Sequence, residues 1–493
     1  MMVLSALALA SIILMNLFVN FALPSLINGA QEDVTIRYRR AWLFWPGRVW
    51  VKDAVVIGHD SKAEWLLTIE DVSTGIEILP LLHMTFAAHD AEAKNVRFRL
   101  RVTRPLKALC APEAAALPLI PGLAQPGLPA AACLAQVDTA QPSSGRTDPN
   151  KLWRVDLRRM AVQDLRELWV ESARYVGHAE LTGGMYFWPA LEMTVHPMRL
   201  HASSGELKSG ETPILSGLEL DLEGRLDRLE FANFDRIYDQ LSLTSTLTGK
   251  LEDLRAYSRY LPKGSELLIR AGTATVSAQL SVLDSGRTQG TLKLRTSGLR
   301  VDYRALELRG TVELSGRLAR GDDAQRAYSL RGTKLRLSGV SANERGEKVA
   351  QSPWWATLSI ERSRLAPSGS PAAELKLSVR LKDLRPLWAV YGVEHTMPDW
   401  VAEGLSGEGA SGSLHLEVGP DLLRLDGIEL KGEGIRAEAM ASVERGHTRG
   451  ALLLGHGPLT LSLIVDDKKS QLYLLDATNR YRQQVDRWLS LRW

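Results

Sequence analysis

Apolar and polar residues alternate along most of this 493-residue chain, with the period of a β-strand that buries one face. The stretch "ELKLSVRLKD" shows the pattern, because its apolar residues alternate with charged or hydroxyl residues and would therefore point to the opposite face of a strand. Gly, Asp and Ser separate such runs, as hairpin turns require. The alternation predicts a mainly β protein with a long antiparallel sheet. The residues predicted to line its apolar face are Leu218, Leu220, Leu222, Leu292, Leu294, Leu335, Leu337, Leu375, Leu377, Val379, Leu381, Leu414, Leu416 and Val418.

The triplet Asp-Leu-Arg occurs in "VQDLRELW", "LEDLRAYS" and "LKDLRPLW", each time after a predicted strand. Three residues after the first Asp comes Glu167, which completes a capping-box pattern at a helix start. We therefore predict three short helices that interrupt the sheet and end near Gly177, Pro262 and Gly392. A catalytic role for the triplet is disfavoured, because the acids and bases around it do not recur. The predicted helix caps are Asp164, Asp253 and Asp383.

The N-terminal segment carries no charged side chain from Met1 to Leu23. An apolar run of this length can cross a bilayer as one helix, so we predict a transmembrane anchor over residues 1–27. A cleaved signal peptide is the alternative, but no basic segment precedes the run and the best cleavage site, after Ala30, fits poorly. The arginines at residues 37–40 would favour a cytoplasmic body by the positive-inside rule, which leaves the orientation open.

Two cysteines, Cys110 and Cys133, lie within a segment rich in Pro and Ala, residues 104–150. We predict a loop insertion here, with a disulfide between the two cysteines that stabilises the fold by about 3 kcal/mol in the chain-entropy model. Such a bond persists in oxidising compartments, so the pair favours export. Two buried free thiols are the alternative. The cysteines have no nearby histidines and no recognisable zinc spacing, so no metal site is predicted.

Composition and motifs argue against several function classes. The chain holds 60 Lys+Arg and 57 Asp+Glu, so its net charge of +3 does not predict nucleic-acid binding. "GEGASG" matches a dinucleotide-binding expression, but it leads into a strand where that motif needs a helix. His196 and His201 fall on opposite faces of a predicted strand. We predict no catalytic residues, no cofactor and no enzymatic activity.

Aromatic residues near both ends of the chain allow two interpretations each. Trp42, Trp45 and Trp50 follow the N-terminal run and suit either a membrane interface or the core of the first hairpin, whose turn is "WPGRVW". At the C-terminus, one face of a short basic helix could contact a partner or a lipid surface, or could cover the open end of the sheet. That face comprises Val485, Trp488, Leu489 and Trp493.

An uncharged N-terminal span, alternating strands such as "LLTIEDVSTGIEILPLL" and "VRFRLRV", and short interrupting helices together resemble the AsmA-like envelope proteins. The larger relatives of that family include TamB and the repeating β-groove, bridge-like lipid transfer proteins. The resemblance covers most of the chain as a pattern and contains no diagnostic motif. It implies an inner-membrane anchor and a periplasmic body. It also implies an elongated, twisted sheet curled into a groove whose apolar lining shields acyl chains.

The predicted function is that of a membrane-anchored periplasmic protein that carries or bridges phospholipid between the inner and outer membranes. Its expected partners are phospholipid, the inner membrane, and an outer-membrane or envelope protein at the C-terminal end. An envelope scaffold that docks a partner by edge-strand pairing is the alternative, and the apolar faces could also close on themselves. The predicted organisation is an anchor at 1–27, a β section at 28–103, the loop insertion at 104–150, three β-groove repeats at 151–250, 251–380 and 381–480, and an amphipathic segment at 481–493.

Overall fold

A computed structural model gives the fold, and the prediction of a mainly β protein is confirmed, because 77% of the described residues are in strands. The chain divides into two compact units. Unit 1 comprises Met1–Gly249 with Val282–Ser285, and unit 2 comprises Lys250–Ser281 with Gly286–Trp493. The division into seven segments stays a prediction. The structure describes residues 12–30, 34–45, 47–59, 63–81, 83–102, 119–123, 154–188, 191–230, 237–260, 267–283, 286–303, 306–320, 327–344, 347–348, 353–365, 373–384, 409–419, 422–444, 447–467 and 469–490.

The strands of unit 1 are long, and most pair in antiparallel hairpins. β1 and β2 both pair with β3, so together they form one interrupted edge. The described part of "WPGRVW" is the predicted hairpin turn between β2 and β3, with Gly47 at φ 89°. The strands are β1 (Val34–Arg37), β2 (Arg40–Trp45), β3 (Arg48–His59), β4 (Ala63–Ile76), β5 (Thr85–Val102), β6 (Arg154–Val170), β7 (Ala173–Trp188), β8 (Glu192–Ser209), β9 (Thr212–Glu230) and β10 (Leu241–Leu251), which pairs with β9.

One pair in unit 1 corrects the prediction of an antiparallel sheet: β5 and β6 are parallel. Parallel neighbours need a crossover that returns the chain to the starting end of the first strand. An 18-residue strand such as β5 spans about 60 Å, so a long connection is required. The segment predicted as a loop insertion therefore contains the connection between these strands. Alternation alone could not show this, because it is the same in parallel and antiparallel pairs.

The described part of that connection, residues 119–123, packs on one side of β4 and β5. Ile120 is buried, and the carbonyl oxygen of Pro121 accepts a hydrogen bond from Arg99. Gly122 lies so close to Leu66 that a Cβ would come within 2.7 Å of a leucine methyl carbon. Cys110 and Cys133 lie outside the described residues, and the predicted disulfide stays a prediction.

The strands of unit 2 pair antiparallel throughout the described registers. Two very short strands, β14 and β16, extend the pairing at the strand ends. The strands are β11 (Leu267–Val282), β12 (Thr288–Tyr303), β13 (Leu306–Arg320), β14 (Tyr328–Ser329), β15 (Lys334–Glu344), β16 (Glu347–Lys348), β17 (Trp354–Leu365), β18 (Ala373–Leu381), β19 (Ala410–Gly419), β20 (Leu422–Gly432), β21 (Ile435–Glu444), β22 (His447–His456), β23 (Leu459–Asp466) and β24 (Lys469–Tyr473).

A glycine recurs within the long strands where the register shifts by a β-bulge. Gly298, Gly339 and Gly427 lie at such shifts in unit 2, and Gly217 occupies a matching position in β9. All four have φ between 54° and 62°, a left-handed conformation that favours glycine. Each follows Ser or Asp and precedes Leu, Val or Ile, as in "LSGLEL", "TSGLRV", "LSGVSA" and "LDGIEL". This four-fold sequence signal marks the bulges, which the alternation alone did not predict.

The first predicted helix is wrong, because Asp164 lies inside β6 and Gly177 inside β7. The chain turns between these strands at Glu171, whose φ is 53°. Glu167, expected in a capping box, forms a buried ion pair with Arg99, with the two nitrogen–oxygen contacts at 2.9 and 3.2 Å. Gly177 does not end a helix. It permits close strand approach, since a Cβ there would lie 2.5 Å from the carbonyl oxygen of Ser204.

The other two predicted caps have different outcomes. Leu254–Tyr260 is a 3-10 helix, and the Asp253 carboxylate accepts the backbone N–H of Arg255 at 2.9 Å, so this cap is confirmed. Asp383 is buried, and its carbonyl oxygen accepts a hydrogen bond from the Trp354 indole at 2.8 Å. The residues after 384 that were predicted to form the third helix lie outside the described part of the chain, as does the predicted stop at residue 392.

Helices lie near both ends of the chain, and shorter helical turns occur at Ile78–Leu81 and Ile237–Gln240. Residues 12–30 are helical, with a π-helical turn at Phe18–Ala22 followed by an α-helix at Leu23–Ala30. Among the described residues, no helix has the length and apolar character needed to cross a membrane. The predicted anchor therefore stays a prediction.

The C-terminal helix, Ala477–Ser490, begins four residues before the predicted segment and packs on the sheet of unit 2. Tyr481 and Trp488 are buried in a cluster with Met440 and Ala451. Val485 packs against the same cluster. Of the two interpretations offered for this helix, covering the protein's own sheet agrees with these contacts. The side chains of Leu489 and Trp493, the other two residues predicted for this face, lie outside the described part of the chain.

Candidate functional site

A continuous row of apolar residues crosses ten strands of unit 2. Residues directly opposite each other on paired strands point to the same face, so the registers define the row. Glycine occupies one position of the row, and aliphatic residues occupy the others. We call it the central row; it comprises Leu294, Leu314, Leu335, Leu358, Val379, Gly412, Leu430, Ala437, Leu454 and Leu461.

On β18, β20 and β21, burial along this apolar face falls from one end of the strand to the other. On β18, Val379 of the central row is 6% exposed, and exposure rises towards Ala373. The row through Ala373 reaches neighbouring strands at Leu423 and Val443, which are 44% and 40% exposed. We call this the outer row; it comprises Ala373, Val418, Leu423 and Val443. The face is thus a protein core at the central-row residues of β18 and β20–β23, and it is half-buried at the central-row residues of β12, β13, β15 and β17. In the outer row Leu423 and Val443 form an exposed apolar surface, and Ala373 and Val418 are half-buried.

The opposite face of the same strands is charged. Lys376 lies directly opposite His415, and both side chains are exposed. His415 contacts Asp426 at 3.0 Å, and Arg424 contacts Glu417 at 2.8 Å. Lys376 and His415 are exposed and Arg424 and Glu417 are half-buried, so this part of the face carries polar and charged groups in contact with water. The sheet of unit 2 is therefore amphipathic around β18–β20. Further along the same charged face, the C-terminal helix covers an apolar cluster that includes Met440 and Ala451.

All fourteen predicted lining residues lie in strands, but their exposure differs. Leu218, Leu377, Val379 and Leu381 are only 3–8% exposed, so protein atoms already cover them. Leu292 is exposed, and the others are half-buried. Leu416 continues the apolar face between the two rows, because it pairs with Leu375 and with Leu425. Leu423 and Val443 were not among the predicted lining residues, although the alternation in "LLRLDGIEL" marks the strand that carries Leu423.

Unit 1 carries apolar rows of the same kind, and they continue across its parallel strand pair. One row comprises Ile36, Val56, Leu67, Phe98, Leu168, Tyr175, Leu207 and Leu215. A second row comprises Ala41, Val51, Val72, Ala93, Val162, Leu181, Leu200 and Leu222. Residues 119–123 contact Leu66 and Arg99, which neighbour Leu67 and Phe98 in sequence and so lie on the opposite face. The described part of the crossover therefore leaves the first row uncovered.

A polar cleft lies on unit 1 between β5, β6, β7 and β8, and Asp164 belongs to it. The Asp164 carboxylate contacts Arg166 at 2.6 Å and His178 at 3.0 Å, so its negative charge is balanced locally. His201 lines the same cleft and contacts Asp221 at 2.5 Å. Hydrogen bonding to the Asp221 carboxylate raises the pKa of His201. Each histidine contacts an acid on a solvated surface, and this geometry accounts for a polar sheet surface.

The chain matches no protein-family model, no curated protein and no solved structure at a significant level. The resemblance to the AsmA-like family therefore rests on the sequence pattern alone. The fold adds a mainly β architecture with an amphipathic sheet in unit 2, and this architecture is compatible with more than one function.

Proposed function

We propose that this chain is a non-enzymatic lipid-binding protein of the cell envelope, which holds acyl chains on the apolar face of unit 2. The supporting observation is the gradient from the buried central row to the exposed Leu423 and Val443. An exposed apolar surface continuous with a core favours an apolar occupant, because each buried methylene contributes about 0.8 kcal/mol. Acyl chains fit a surface of aliphatic residues that offers no specific polar partner.

In this proposal the sheet curls into a groove, and phospholipid moves along it between the inner and outer membranes. Residues 1–27 anchor the chain in the inner membrane, and the body lies in the periplasm. The headgroups face water at the open side, so sliding requires no specific headgroup site. The candidate acyl contacts are the half-buried and exposed residues Leu375, Leu416, Val418, Leu423 and Val443.

Site-specific photo-crosslinking in cells tests this proposal. A photoreactive residue at Leu416 is expected to capture phospholipid, because that side chain lies on the apolar face. The same residue at His415, the next position on the strand, faces the charged side and is the matched control. Capture of lipid at both positions, or at neither, would contradict the proposed carrier function.

A scaffold that docks a protein partner is the second candidate, and one observation favours it. β24 is only five residues long, and exposed Leu472, Leu474 and Leu475 lie in it or directly after it. A partner strand could add to this edge, with these leucines contacting its side chains. A photoreactive residue at Leu472 that captures a protein, together with no lipid at Leu416, would favour the scaffold over the carrier.

A further inference from the structure

Three asparagines of the N-terminal helix pair with the backbone of the edge formed by β1 and β2. The Asn16 amide donates to the carbonyl oxygen of Leu43 and accepts its N–H, both at 2.8 Å. Asn20 makes the same two bonds with Ala41, at 2.8 and 3.0 Å. Asn28 does so with Ile36, at 3.0 and 2.7 Å. We call these six hydrogen bonds the asparagine ladder, because each amide replaces one residue of a neighbouring strand.

The spacing of the ladder follows from helix and strand geometry. Four residues of helix rise about 6 Å, and two residues of strand rise about 6.7 Å, so Asn16 and Asn20 match Leu43 and Ala41. The position four residues further along the helix is Pro24, which has no amide side chain. Near that level the edge is interrupted between β1 and β2, and the Tyr38 hydroxyl donates to the carbonyl oxygen of Val19 instead.

The side of the helix that turns away from the sheet is apolar and exposed. Leu14 is 69% exposed and Phe21 is 73% exposed, with further large apolar side chains between them. Val19 is buried against Ala41 and Leu43, so the helix has one face in the core and one face in solvent. We call the exposed face the apolar stripe; it comprises Ile13, Leu14, Leu17, Phe18 and Phe21.

We propose that the helix and the β1–β2 edge form one membrane-docking element, in which the apolar stripe lies in the acyl layer of a bilayer and the ladder seals the strand edge beside it. This inference rests on the membrane association proposed above. It differs from a spanning anchor in that residues 16–28 lie along the strand edge, and it adds which residues contact lipid. In water an edge N–H can bond to solvent, whereas in hydrocarbon each unsatisfied group costs several kcal/mol. The ladder satisfies both backbone groups of Leu43 and of Ala41, at the level of the stripe.

Sequence and charge favour a bilayer over a protein as the partner that covers the apolar stripe. No charged residue occurs from Met1 to Gln31, so nothing charged would need to enter the acyl layer with the helix. Next to the helix, Arg37, Arg39 and Arg40 are exposed and can meet anionic headgroups.

Two double variants of the full chain test the two parts of the inference. Vesicles of phosphatidylethanolamine and phosphatidylglycerol are the probe, and co-flotation measures partitioning. L17S/F21S removes apolar area from the stripe and is expected to lower partitioning about tenfold or more. N16L/N20L keeps the side-chain size but leaves the edge backbone groups of Ala41 and Leu43 without partners, so partitioning is expected to fall in spite of the added apolar area. In that variant, hydrogen exchange at the Ala41 and Leu43 amides is expected to accelerate about tenfold or more, because these two N–H groups lose their acceptors.

Each outcome decides one part of the inference. Unchanged flotation of L17S/F21S would overturn membrane docking by the stripe, and unchanged exchange in N16L/N20L would overturn the sealing role of the ladder. If the chain is a dimer without vesicles and L17S/F21S makes it monomeric, the stripe binds a second copy and the proposal fails. Unchanged exchange over residues 192–209, which belong to unit 1 but not to the β1–β2 edge, shows that a variant is folded. Lipid capture at Leu416 is measured separately, so failure of the carrier function and failure of docking remain distinguishable.

Discussion

Glu167 shows how unit 1 holds charge in its interior. Its carboxylate accepts two hydrogen bonds from Arg99, and Arg174 lies 3.6 Å away. The Trp169 ring lies between the same two guanidinium groups, at 5.8 Å from Arg99 and 4.6 Å from Arg174. Two cations therefore share one acid and one aromatic ring, and removal of the acid would leave both cations without a buried anion.

We predict that Glu167→Ala lowers the free energy of unfolding of unit 1 by about 3 kcal/mol, because a broken buried ion pair leaves an uncompensated charge. Urea unfolding followed by tryptophan fluorescence measures the effect. The control is Glu223→Ala in the same unit, since Glu223 pairs with Arg199 on the exposed surface and should contribute at most about 1 kcal/mol. Equal effects of the two substitutions would contradict a buried role for Glu167.

His201 gives a prediction about pH. Hydrogen bonding to Asp221 raises the pKa of His201 above its ordinary value of 6.5, because the carboxylate favours the protonated imidazole. The stabilisation from this pair is therefore fully present below pH 6.5, and it is lost as the pH rises through the raised pKa. An NMR titration should give a His201 midpoint above 6.5 in the native chain and a lower midpoint in Asp221→Asn. The same midpoint in both proteins would show that the pair does not form in solution.

At the scale of elements, sequence periodicity predicted the strands well and the helices unevenly. Leu375 to Leu381 alternate over one strand, and β18 has those bounds within two residues. Leu165 and Trp169 misled the prediction, because positions four apart share a face in a helix and also in a strand. The Asp253 cap was predictable because its carboxylate acts on the next residues of the chain. The asparagine ladder was not, since its partners lie up to 27 residues away.

The bulge glycines give a prediction for single elements of the sheet. At Gly339 an added Cβ would meet no atom within 4 Å, so any cost of substitution comes from its φ of 62°. Gly339→Ala is expected to destabilise unit 2 by about 1 kcal/mol, because alanine is strained in the left-handed region.

The matched control is Gly455→Ala in β22, where the φ is ordinary and the closest contact of an added Cβ is 3.5 Å. We expect this substitution to be close to neutral, because it adds no backbone strain. Thermal unfolding of the two variants, followed in parallel, measures the difference. A larger loss from Gly455→Ala would mean that packing, and not the bulge conformation, limits these strands.

At the scale of the whole molecule, each unit has an apolar face, and different elements cover the sheet edge of unit 1 and one sheet face of unit 2. The asparagine ladder occupies the β1–β2 edge of unit 1. The C-terminal helix covers Met440 and Ala451 in unit 2. Each lies an odd number of positions from the central-row residue of its strand, so both point to the face opposite the central row. The outer row has neither protection at Leu423 and Val443. A lipid occupant would explain why these positions are apolar, and edge docking at β24 would not, because the outer row lies on other strands.

The last prediction therefore concerns Val443 and its neighbour. If acyl chains lie on the outer row, Val443→Glu should at least halve the phospholipid that copurifies with the chain, because a buried carboxylate without a partner is costly. Ser442→Glu adds the same charge one residue away on the opposite face, so its phospholipid content should equal that of the native chain. Phosphorus analysis after purification without strong detergent measures both. Loss of lipid in both variants would indicate a general effect of charge, and loss in neither would remove the outer row from the lipid path and leave the scaffold as the better account of unit 2.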